Sequence, residues 1–425
     1  MNSNKNKSSK KKDIILFVSY FLGVKGNCPA EWGDDKLRVL DSLDKKIIII
    51  TSIQSNVFKS NNFLVYKVPS LSFKNFKYEL SIYRKNNNGK FPILLRVFYL
   101  FSFIFGSIYD FTMIKYIKSL TGGYWSWFFI SLPLGIYINC KFKINKIFST
   151  AGPPSAHLMS ATLAAIFKTK FICEFQDPQV GEYIKNYRSK RIALIFDKFY
   201  KKYASKIIFV TKKAAKNSKI ITEDYKNKIK AIYPGSWNFI KDQNIPKHFD
   251  NKSIEIIHLG TLYTTRNLDN FFIALDRFKA NNINNKRIQA IKIINCGDIY
   301  LKNKQTYIKR NDFKILQCKS RLNGLKRASK SSFLLLVQHN DWRSKETIPY
   351  KFYDYLNLRM PILGITNNKE LDSLILKAGG VVAKADSIES IYLAFERLFN
   401  KEYEYQPEIN FLEIDIKKQF LKALR

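Results

Sequence analysis

Acidic residues, cysteine and histidine are all scarce in this chain of 425 residues. Only 34 Asp and Glu stand against 72 Lys and Arg, which leaves a formal net charge of +38. The five cysteines are odd in number and lack the close spacing of metal ligands, so the sequence argues against a disulfide scaffold or a zinc module and favours a reduced cytosolic setting. They are Cys28, Cys140, Cys173, Cys296 and Cys318. The four histidines are scattered.

The deficit of acidic residues indicates an anionic partner, such as nucleotide phosphates, an acidic lipid surface or nucleic acid. A skewed coding composition, rich in Lys, Asn and Ile throughout, is an equally simple explanation of the charge. The sequence contains no recognisable nucleic-acid-binding module, and its aromatic residues lie in apolar runs rather than spaced along basic strands. We therefore expect no specific binding of nucleic acid.

Clean apolar runs of ~20 residues, the length of a membrane-crossing helix, are also lacking. Phe91–Tyr109 is interrupted by Arg96, and the uncharged run Tyr124–Cys140 contains Pro133. Each run suits either a core helix or a helix that lies in the membrane interface with its apolar face buried, and a membrane-spanning helix is a further alternative. The sequence thus predicts a membrane-associating region at residues 91–140, with the core helix as the alternative.

The first residues imitate a signal peptide, because a polybasic arm at residues 1–12 precedes the apolar run Ile14–Val24. Lys25 follows at once, and no small-residue cleavage site appears. A strand of a parallel sheet has the same apolar character, because both of its faces are covered. We therefore predict that this run is the first buried strand.

Short apolar runs alternate with helical patterns over both halves of the chain, which predicts an α/β fold. We expect two Rossmann-like, doubly wound domains that face each other across a cleft, at residues 13–240 and 241–400. The boundary is placed within Tyr233–Lys252, where Pro234, Gly235 and Pro246 interrupt a polar stretch. A helix within residues 401–425 is predicted to return to the first domain.

Fourteen strands and helices carry this prediction. The predicted strands are Ile14–Tyr20, Lys46–Ser52, Lys146–Thr150, Lys170–Glu174, Lys206–Thr211, Ile254–Leu259, Ala290–Asn295, Phe313–Gln317, Phe333–Val337, Pro361–Gly364 and Gly380–Ala383, and the predicted helices lie around Lys36–Leu43, at Leu268–Phe278 and at the end of the chain.

Two carboxylates, Glu346 and Asp354, stand eight positions apart with Lys351 between them. Eight residues are a little over two helical turns, so both carboxylates can point at one bound ligand. Carboxylates accept hydrogen bonds in pairs, which suits a ligand rich in hydroxyl groups.

Two further strand ends carry glycine, which lets backbone approach a phosphate. Gly260 follows a strand, with Arg266 just ahead of the next helix, and Gly297 follows another. A solvated arginine and an ordinary turn are the plain alternatives. In the first half, Gly23 and Gly26 follow the first strand and suit a flexible loop.

His157 begins a helix after a Pro-Pro turn, and Asp177 follows a strand immediately before Pro178. We place both side chains in the cleft, where Asp177 could orient an acceptor hydroxyl. The alternatives are a histidine satisfied by local backbone and a structural helix cap.

The order of five segments resembles GT-B glycosyltransferases of family 4, in particular bacterial enzymes of surface-polysaccharide assembly. Gly260–Arg266 is similar to their Gly-x-Leu-Tyr-x-x-Arg run, and Gly297 fills their strand-Gly position. Glu346–Leu363 resembles their Glu-x-x-Pro-x-Lys-x-x-Glu-Tyr-Leu segment, which ends in Pro-Ile-Leu. Ser149–Leu158 and Glu174–Pro178 are similar to their Ser-x-x-Pro-Pro-x-x-x-His-Leu and Asp-Phe-Arg-Asp-Pro segments.

This resemblance implies a retaining transfer of a sugar from a UDP- or GDP-sugar, without metal or other cofactor. Glu346 matches the carboxylate near the donor sugar, and Asp354 matches the one that holds the ribose. Arg266 matches a phosphate-binding cation, to which Lys351 could add charge. Gly23 and Gly26 match the glycine-rich loop over the donor phosphates.

The same resemblance, the basic arm and the apolar region together imply a lipid-linked saccharide acceptor on an anionic membrane surface. We therefore expect a cytoplasmic bacterial enzyme, peripheral on the inner face of the membrane, that takes part in capsule or O-antigen synthesis.

Three positions depart from the family pattern. Asp354 replaces a glutamate and is one methylene shorter, Thr261 stands where the first phosphate cation is expected, and Gln176 replaces an arginine. An inactive GT-B scaffold or partner subunit is therefore the main alternative. Sugar-nucleotide epimerisation and nucleic-acid binding are further alternatives.

Overall fold

The computed structural model describes most of the chain and shows two compact units. The first unit comprises Met1–Ile208 and Thr222–Lys230, and the second comprises Phe209–Ile221 and Ala231–Arg425. The basic arm and the predicted domain boundary lie outside the described residues. The described ranges are 13–24, 26–43, 45–113, 124–180, 187–238, 254–318, 320–400, 403–408 and 415–425.

A seven-stranded sheet is the centre of the first unit, with strand order β3-β2-β1-β4-β5-β6-β7. The pairs from β3 to β5 are parallel. The predicted strands of this half are confirmed, and β3 and β7 are additions. The strands are β1 Ile14–Val18, β2 Lys46–Ser52, β3 Phe63–Val68, β4 Lys146–Ala151, β5 Lys170–Phe175, β6 Lys206–Phe209 and β7 Ile229–Ala231.

Ile14–Val18 is a central strand that pairs with both β2 and β4. Its last four residues are buried, so the strand interpretation of the N-terminal apolar run is confirmed. β3 was missed because it is the edge strand, and most of its side chains are only partly covered. An edge strand lacks the continuous apolar run of a strand with two covered faces.

Helices connect these strands. The first of them begins at Cys28 rather than near Lys36, because the Asn27 side chain accepts a hydrogen bond from the Ala30 amide and Pro29 suits the first turn. The helices are α1 Cys28–Asp41, α2 Phe73–Asn86, α3 Ile93–Phe101, α4 Ser107–Thr112, α5 Trp127–Lys141, α6 Ser155–Phe167 and α7 Tyr187–Tyr203, with a π-helical turn Ser102–Gly106 between α3 and α4.

The two apolar runs of the sequence take different positions. Ile93–Thr112 forms a helix of 20 residues that is long and apolar enough to cross a membrane, with a mean hydropathy of 1.5 and only 17% of it buried. Within the described chain, not one residue of α3 is buried. By contrast, α5 buries Trp127, Ser131, Gly135 and Ile138. The core-helix alternative therefore fits the second run and fails for the first.

A six-stranded sheet is the centre of the second unit, with strand order β12-β10-β8-β13-β14-β15 and parallel pairs throughout. β9 and β11 form a separate parallel pair. The predicted strands of this half are confirmed. They are β8 Glu255–Leu259, β9 Leu262–Tyr263, β10 Lys292–Cys296, β11 Ile299–Tyr300, β12 Phe313–Leu316, β13 Phe333–Val337, β14 Ile362–Ile365 and β15 Val381–Ala383.

Nine helices are described in this unit. They are α8 Lys212–Ile221, α9 Asp269–Asn281, α10 Lys286–Gln289, α11 Lys304–Ile308, α12 Arg321–Ala328, α13 Tyr350–Leu358, α14 Lys369–Lys377, α15 Ile388–Phe399 and α16 Ile416–Leu424. The last helix confirms the helical pattern of the tail, and a bridge between Ser236 and Asp415 precedes it. Its return to the first domain stays a prediction.

A buried carboxyl group links α2 to the sheet of the first unit. Glu79 accepts hydrogen bonds from the Tyr20 and Ser70 hydroxyls and, at 3.0 Å, from the Ser70 amide. Burial raises the pKa of Glu79 from 4.5 to about 7, against the opposing effect of these hydrogen bonds. The folded chain therefore holds the Glu79 proton more tightly than the unfolded chain does.

We predict that Glu79→Gln removes the loss of stability that the wild type undergoes as the pH rises from about 4.5 to about 7. The unfolded carboxyl ionises above about pH 4.5 while the folded one keeps its proton until about pH 7, so the stability of the wild type falls across this interval and stays lowered above it. The free energy of unfolding in urea, measured from pH 4 to 8, should fall less in Glu79→Gln. The exposed Glu389→Gln is the control, and equal slopes for all three proteins would contradict the assignment.

Candidate functional site

Two glycines meet at the carboxyl edge of the second sheet. Gly260 follows β8 with φ +125°, and Gly297 follows β10 with φ +152°. A Cβ on Gly297 would lie 2.4 Å from the Gly260 carbonyl oxygen, so only glycine fits there. The Gly260 amide donates to the Cys296 carbonyl at 2.8 Å. The two predicted strand-end glycines therefore form one surface of bare backbone.

Lys351 extends from α13 to this surface. Its Nζ lies 3.1 Å from the position that a Cβ of Gly260 would occupy and 2.7 Å from His258 Nε2. His258 Nδ1 lies 2.7 Å from Asn295 Oδ1, and Asn295 Nδ2 donates to the Gly297 carbonyl at 2.7 Å. The predicted residues Gly260, Gly297 and Lys351 thus meet, connected by two residues to which the sequence had assigned no role.

Arg266 ends a tight turn in front of α9. Its amide donates to the Tyr263 carbonyl at 2.8 Å, and its carbonyl accepts from the Tyr263 amide at 2.9 Å. Burial lowers the pKa of His258 well below its usual value, and the charges of Lys351 and then Arg266 act in the same direction. Lys351 is therefore in direct contact with His258, and Arg266 adds positive charge to its surroundings.

Asp354 is engaged differently from the expectation that it is available to a ribose. Its carboxylate accepts from Arg321 Nε at 3.0 Å and from Arg321 Nη2 at 2.5 Å, and Asp354 is buried. The Arg321 guanidinium also lies over the Tyr350 ring, 4.8 Å from its centroid. A bidentate pair of this kind occupies both oxygens of the shortened carboxylate. In this structure, a ribose would have to compete with Arg321.

Glu346 precedes α13 and is held by the segment around α8. Its carboxylate accepts from Asn217 Nδ2, and its carbonyl accepts from Thr211 Oγ1 at 2.8 Å. Glu370 holds the first turn of α8, because its carboxylate accepts hydrogen bonds from the amides of Lys212 and Lys213 at 2.7 and 3.0 Å. Glu346 therefore has a defined position, and one of its two carboxylate oxygens, Oε1, is occupied by the hydrogen bond from Asn217.

The glycine loop of the first unit has two different glycines. Gly23 has φ +62°, and a Cβ on it would lie 2.0 Å from the Asn56 carbonyl oxygen. Its amide donates to both Asp34 oxygens, at 3.0 and 3.1 Å. Gly26 has φ +74° and open space around it, whereas Lys25 lies outside the described residues. The Gly23 amide is thus engaged with Asp34.

His157 is buried rather than open to a ligand as predicted. Its Nδ1 lies 2.7 Å from Ser149 Oγ, and its ring packs on Phe175 and Tyr200. Burial lowers its pKa to about 3, and its Nε2 finds no hydrogen-bond partner among the described residues. This position fits a structural histidine. Asp177 lies two residues after the end of β5 and is exposed, and its role toward an acceptor hydroxyl stays a prediction.

The residues that sequence reasoning missed are His258, Asn295, Arg321 and Asn217. His258 lies inside an apolar strand, where a polar residue with both faces covered was the available signal. Arg321 begins a short helix and carried no signal. Among the described residues, no three His, Cys, Asp or Glu side chains converge as metal ligands would. Independence from metal remains a prediction.

No family profile matches this chain, and no curated protein matches it in sequence. Solved structures do match over nearly the whole chain. HepE from Anabaena, crystallised with UDP and glucose, aligns with a TM-score of 0.59 at 12% identity and covers 97% of this chain and 99% of its own. The trehalose 6-phosphate synthase of Burkholderia multivorans aligns with a TM-score of 0.60 at 11% identity over 98% and 97%.

The UDP-GlcNAc 2-epimerase of Methanocaldococcus jannaschii aligns with a TM-score of 0.51 at 12% identity and covers 96% of this chain and 99% of its own. At identities of 11–12%, the similarity to these structures shows the fold alone. The chain has the GT-B fold, with two Rossmann-like units, that transferases and epimerases of nucleotide sugars share. The predicted fold class is confirmed, and membership of family 4 stays a proposal.

We predict that Arg321→Met destabilises the second unit by about 3 kcal/mol, because it leaves the buried Asp354 carboxylate without its guanidinium. Urea denaturation measures the loss, and the double variant Arg321→Met/Asp354→Asn should recover part of it. Arg277→Met is the matched control, since Arg277 and Glu389 form an exposed pair worth at most about 1 kcal/mol. Equal effects of the two single variants would contradict a structural role for the buried pair.

Proposed function

We propose that this protein is a glycosyltransferase that moves a sugar from a UDP- or GDP-sugar to a lipid-linked or surface-polysaccharide acceptor. The observation that carries the proposal is the position of Lys351 Nζ, 3.1 Å from the place of a Gly260 Cβ, where Gly260 and Gly297 present bare backbone. A cation against glycine backbone, with Arg266 in the turn that follows Gly260, suits a diphosphate, because charge and close approach are both available. The edge is also where ligands bind to sheets of this kind.

In the proposed reaction, Arg266 and Lys351 stabilise the negative charge that develops on the leaving diphosphate. Glu346 positions the donor sugar through its second carboxylate oxygen, and Asp177 orients the acceptor hydroxyl. The resemblance to family 4 supports retention of configuration, in which the leaving phosphate accepts the acceptor proton. No step in this scheme assigns a proton transfer to His157, whose burial supports a structural role.

An inactive GT-B scaffold is the second candidate, favoured by the pairing of Asp354 with Arg321 and by the burial of His157. Turnover decides between the two, since a scaffold would bind a nucleotide sugar without cleaving it. A true donor also stabilises the folded state, so a thermal-shift panel of nucleotide sugars identifies the molecule to be used.

We further propose that Ile93–Thr112 lies in the interface of an anionic membrane. Large apolar side chains cover its exposed side, among them Leu94 at 75% and Phe111 at 87% exposure. Its packed side rests on α2, where a Cβ on Gly106 would lie 2.2 Å from the Leu71 carbonyl oxygen.

The charge around this helix supports an anionic lipid surface as its binding partner. Six exposed basic residues lie on α2, between it and the apolar helix, or on the apolar helix itself, and each would contribute about 1 kcal/mol at an anionic bilayer. They are Lys74, Lys77, Arg84, Lys85, Lys90 and Arg96. The two acidic residues of the same segment are engaged, because Glu79 is buried and Asp110 accepts from the Lys74 amide at 2.9 Å. An acceptor carried by a lipid would then be presented on the same surface.

We predict that Arg266→Ala lowers kcat/KM for the donor by about 10²–10³-fold, because a charge that stabilises the leaving group is lost. Glu346→Ala should also abolish transfer. The measurement is release of nucleoside diphosphate from the donor that the thermal-shift panel selects, with circular dichroism to verify folding. Arg287→Ala, an exposed arginine on α10, is the control. Near-normal turnover in Arg266→Ala or Glu346→Ala would refute the site.

We predict that replacing Leu94, Ile104 and Phe111 together by Asp abolishes binding to vesicles of phosphatidylglycerol and phosphatidylethanolamine. The three side chains are exposed, so the folded state should be retained while the apolar contribution to insertion is lost. Flotation on a density gradient measures bound protein.

The matched control replaces Ile195, Ile220 and Ile283 by Asp. These three isoleucines are similarly exposed and lie elsewhere on the chain. Raising the salt concentration should weaken binding of the wild type, since part of the attraction is electrostatic. Unchanged flotation of the first triple variant would refute the membrane helix.

A further inference from the structure

We propose that His258 is a positioning residue that holds Lys351 at the Gly260 backbone, ready to meet the donor diphosphate. This inference rests on the proposed function for its ligand, and it adds a residue to which neither the sequence pattern nor the similarity of fold assigns a role. The contact with His258 fixes a flexible lysine of α13 at a strand end of the sheet, where a diphosphate would bind.

Each hydrogen bond in the chain from Lys351 to Gly297 has a determined direction. The Gly297 carbonyl can only accept, so Asn295 presents Nδ2 to it and Oδ1 to His258. An ammonium can only donate, so His258 Nε2 accepts from Lys351. His258 Nδ1 must therefore carry the proton and donate to Asn295. One neutral tautomer satisfies all three contacts.

Protonation of His258 would break this arrangement. A protonated ring donates from both nitrogens, so Nε2 would point a second positive group at the Lys351 ammonium 2.7 Å away. The ring is completely buried, and Arg266 adds a further positive charge nearby. The neutral ring and the charged lysine are therefore favoured together.

The benefit to the ligand is pre-organisation. A lysine ammonium ends a flexible four-carbon stem and loses considerable rotamer freedom when it is fixed. Here the fixing contact exists before the ligand arrives, so the ligand does not have to supply that free energy. Thr261, the residue after Gly260, carries no charge, so positive charge at this strand end comes from a distant segment, through Lys351.

A double-mutant cycle on UDP binding tests the role. We expect Lys351→Met to raise the Kd for UDP by at least about tenfold, and His258→Phe by about threefold to tenfold, the size of effect of one ordinary intramolecular hydrogen bond. If His258 acts through Lys351, the double variant should bind UDP no more weakly than Lys351→Met alone. His258→Gln keeps an acceptor and should recover part of the affinity.

The binding measurement is isothermal titration calorimetry with UDP and, in parallel, GDP. Lys292→Met is the control, since this exposed lysine lies at the opposite end of β10. Additive losses in the double variant, or full affinity in His258→Phe, would overturn the inference. If the wild type binds neither nucleotide, the proposed function fails instead.

A second measurement needs no ligand and no substitution of His258. Imidazole ¹⁵N NMR of the wild type should show His258, recognised as the histidine whose resonances respond to Lys351→Met, in the neutral form with its proton on Nδ1 from pH 6 to 8; the buried His157, also neutral in this range, should not respond. Lys351→Met should shift the Nε2 resonance of that histidine. A proton on Nε2, titration within this range, or no response to Lys351→Met would each overturn the inference, even if His258→Phe did not fold.

Discussion

The close approach of Gly297 to Gly260 is the constraint on which the candidate site depends. Any Cβ on Gly297 would collide with the Gly260 carbonyl oxygen, so two neighbouring strand ends present backbone and no side chains. Charge then has to arrive from elsewhere. Lys351 comes from α13, and the small volume left by the glycines lets its Nζ lie 3.1 Å from the place of a Gly260 Cβ, while Arg266 lies in a turn before α9. The proposed donor site follows from this shortage of side-chain volume.

The scarce acidic residues act mainly as internal ties. Asp34 holds the Gly23 amide, Glu370 holds the start of α8, and Asp354 holds Arg321. Each of these carboxylates accepts hydrogen bonds from donors that would otherwise lose water on folding. With 72 Lys and Arg against 34 Asp and Glu, the chain keeps an excess of positive charge. That excess suits phosphate ligands and an anionic membrane alike.

Hydropathy alone could not separate the two apolar runs near residues 91–140. Both are rich in aromatic and aliphatic residues, yet α5 buries Trp127 and Ile138 while Ile93–Phe101 stays exposed. The two helices differ in how far they are buried against the rest of the first unit. This burial depends on contacts between segments distant in the sequence. Trp127 Nε1, for example, donates to the Val68 carbonyl at 3.1 Å, across 59 positions of the chain.

Local sequence determined the alternation of strands and helices, because buried parallel strands such as Lys46–Ser52 are continuous apolar runs and their ends need glycine or polar residues. It also singled out Gly260, Gly297 and Lys351, which the structure brings together, while their role and that of Arg266 in binding a donor stay predictions. Only the tertiary structure decided what the side chains contact. The pairing of Arg321 with Asp354, the burial of His157 and the contact of His258 with Lys351 all join residues far apart in sequence. A single sequence carries no record of such distances, since a side chain's neighbours are decided by packing and not by its position along the chain.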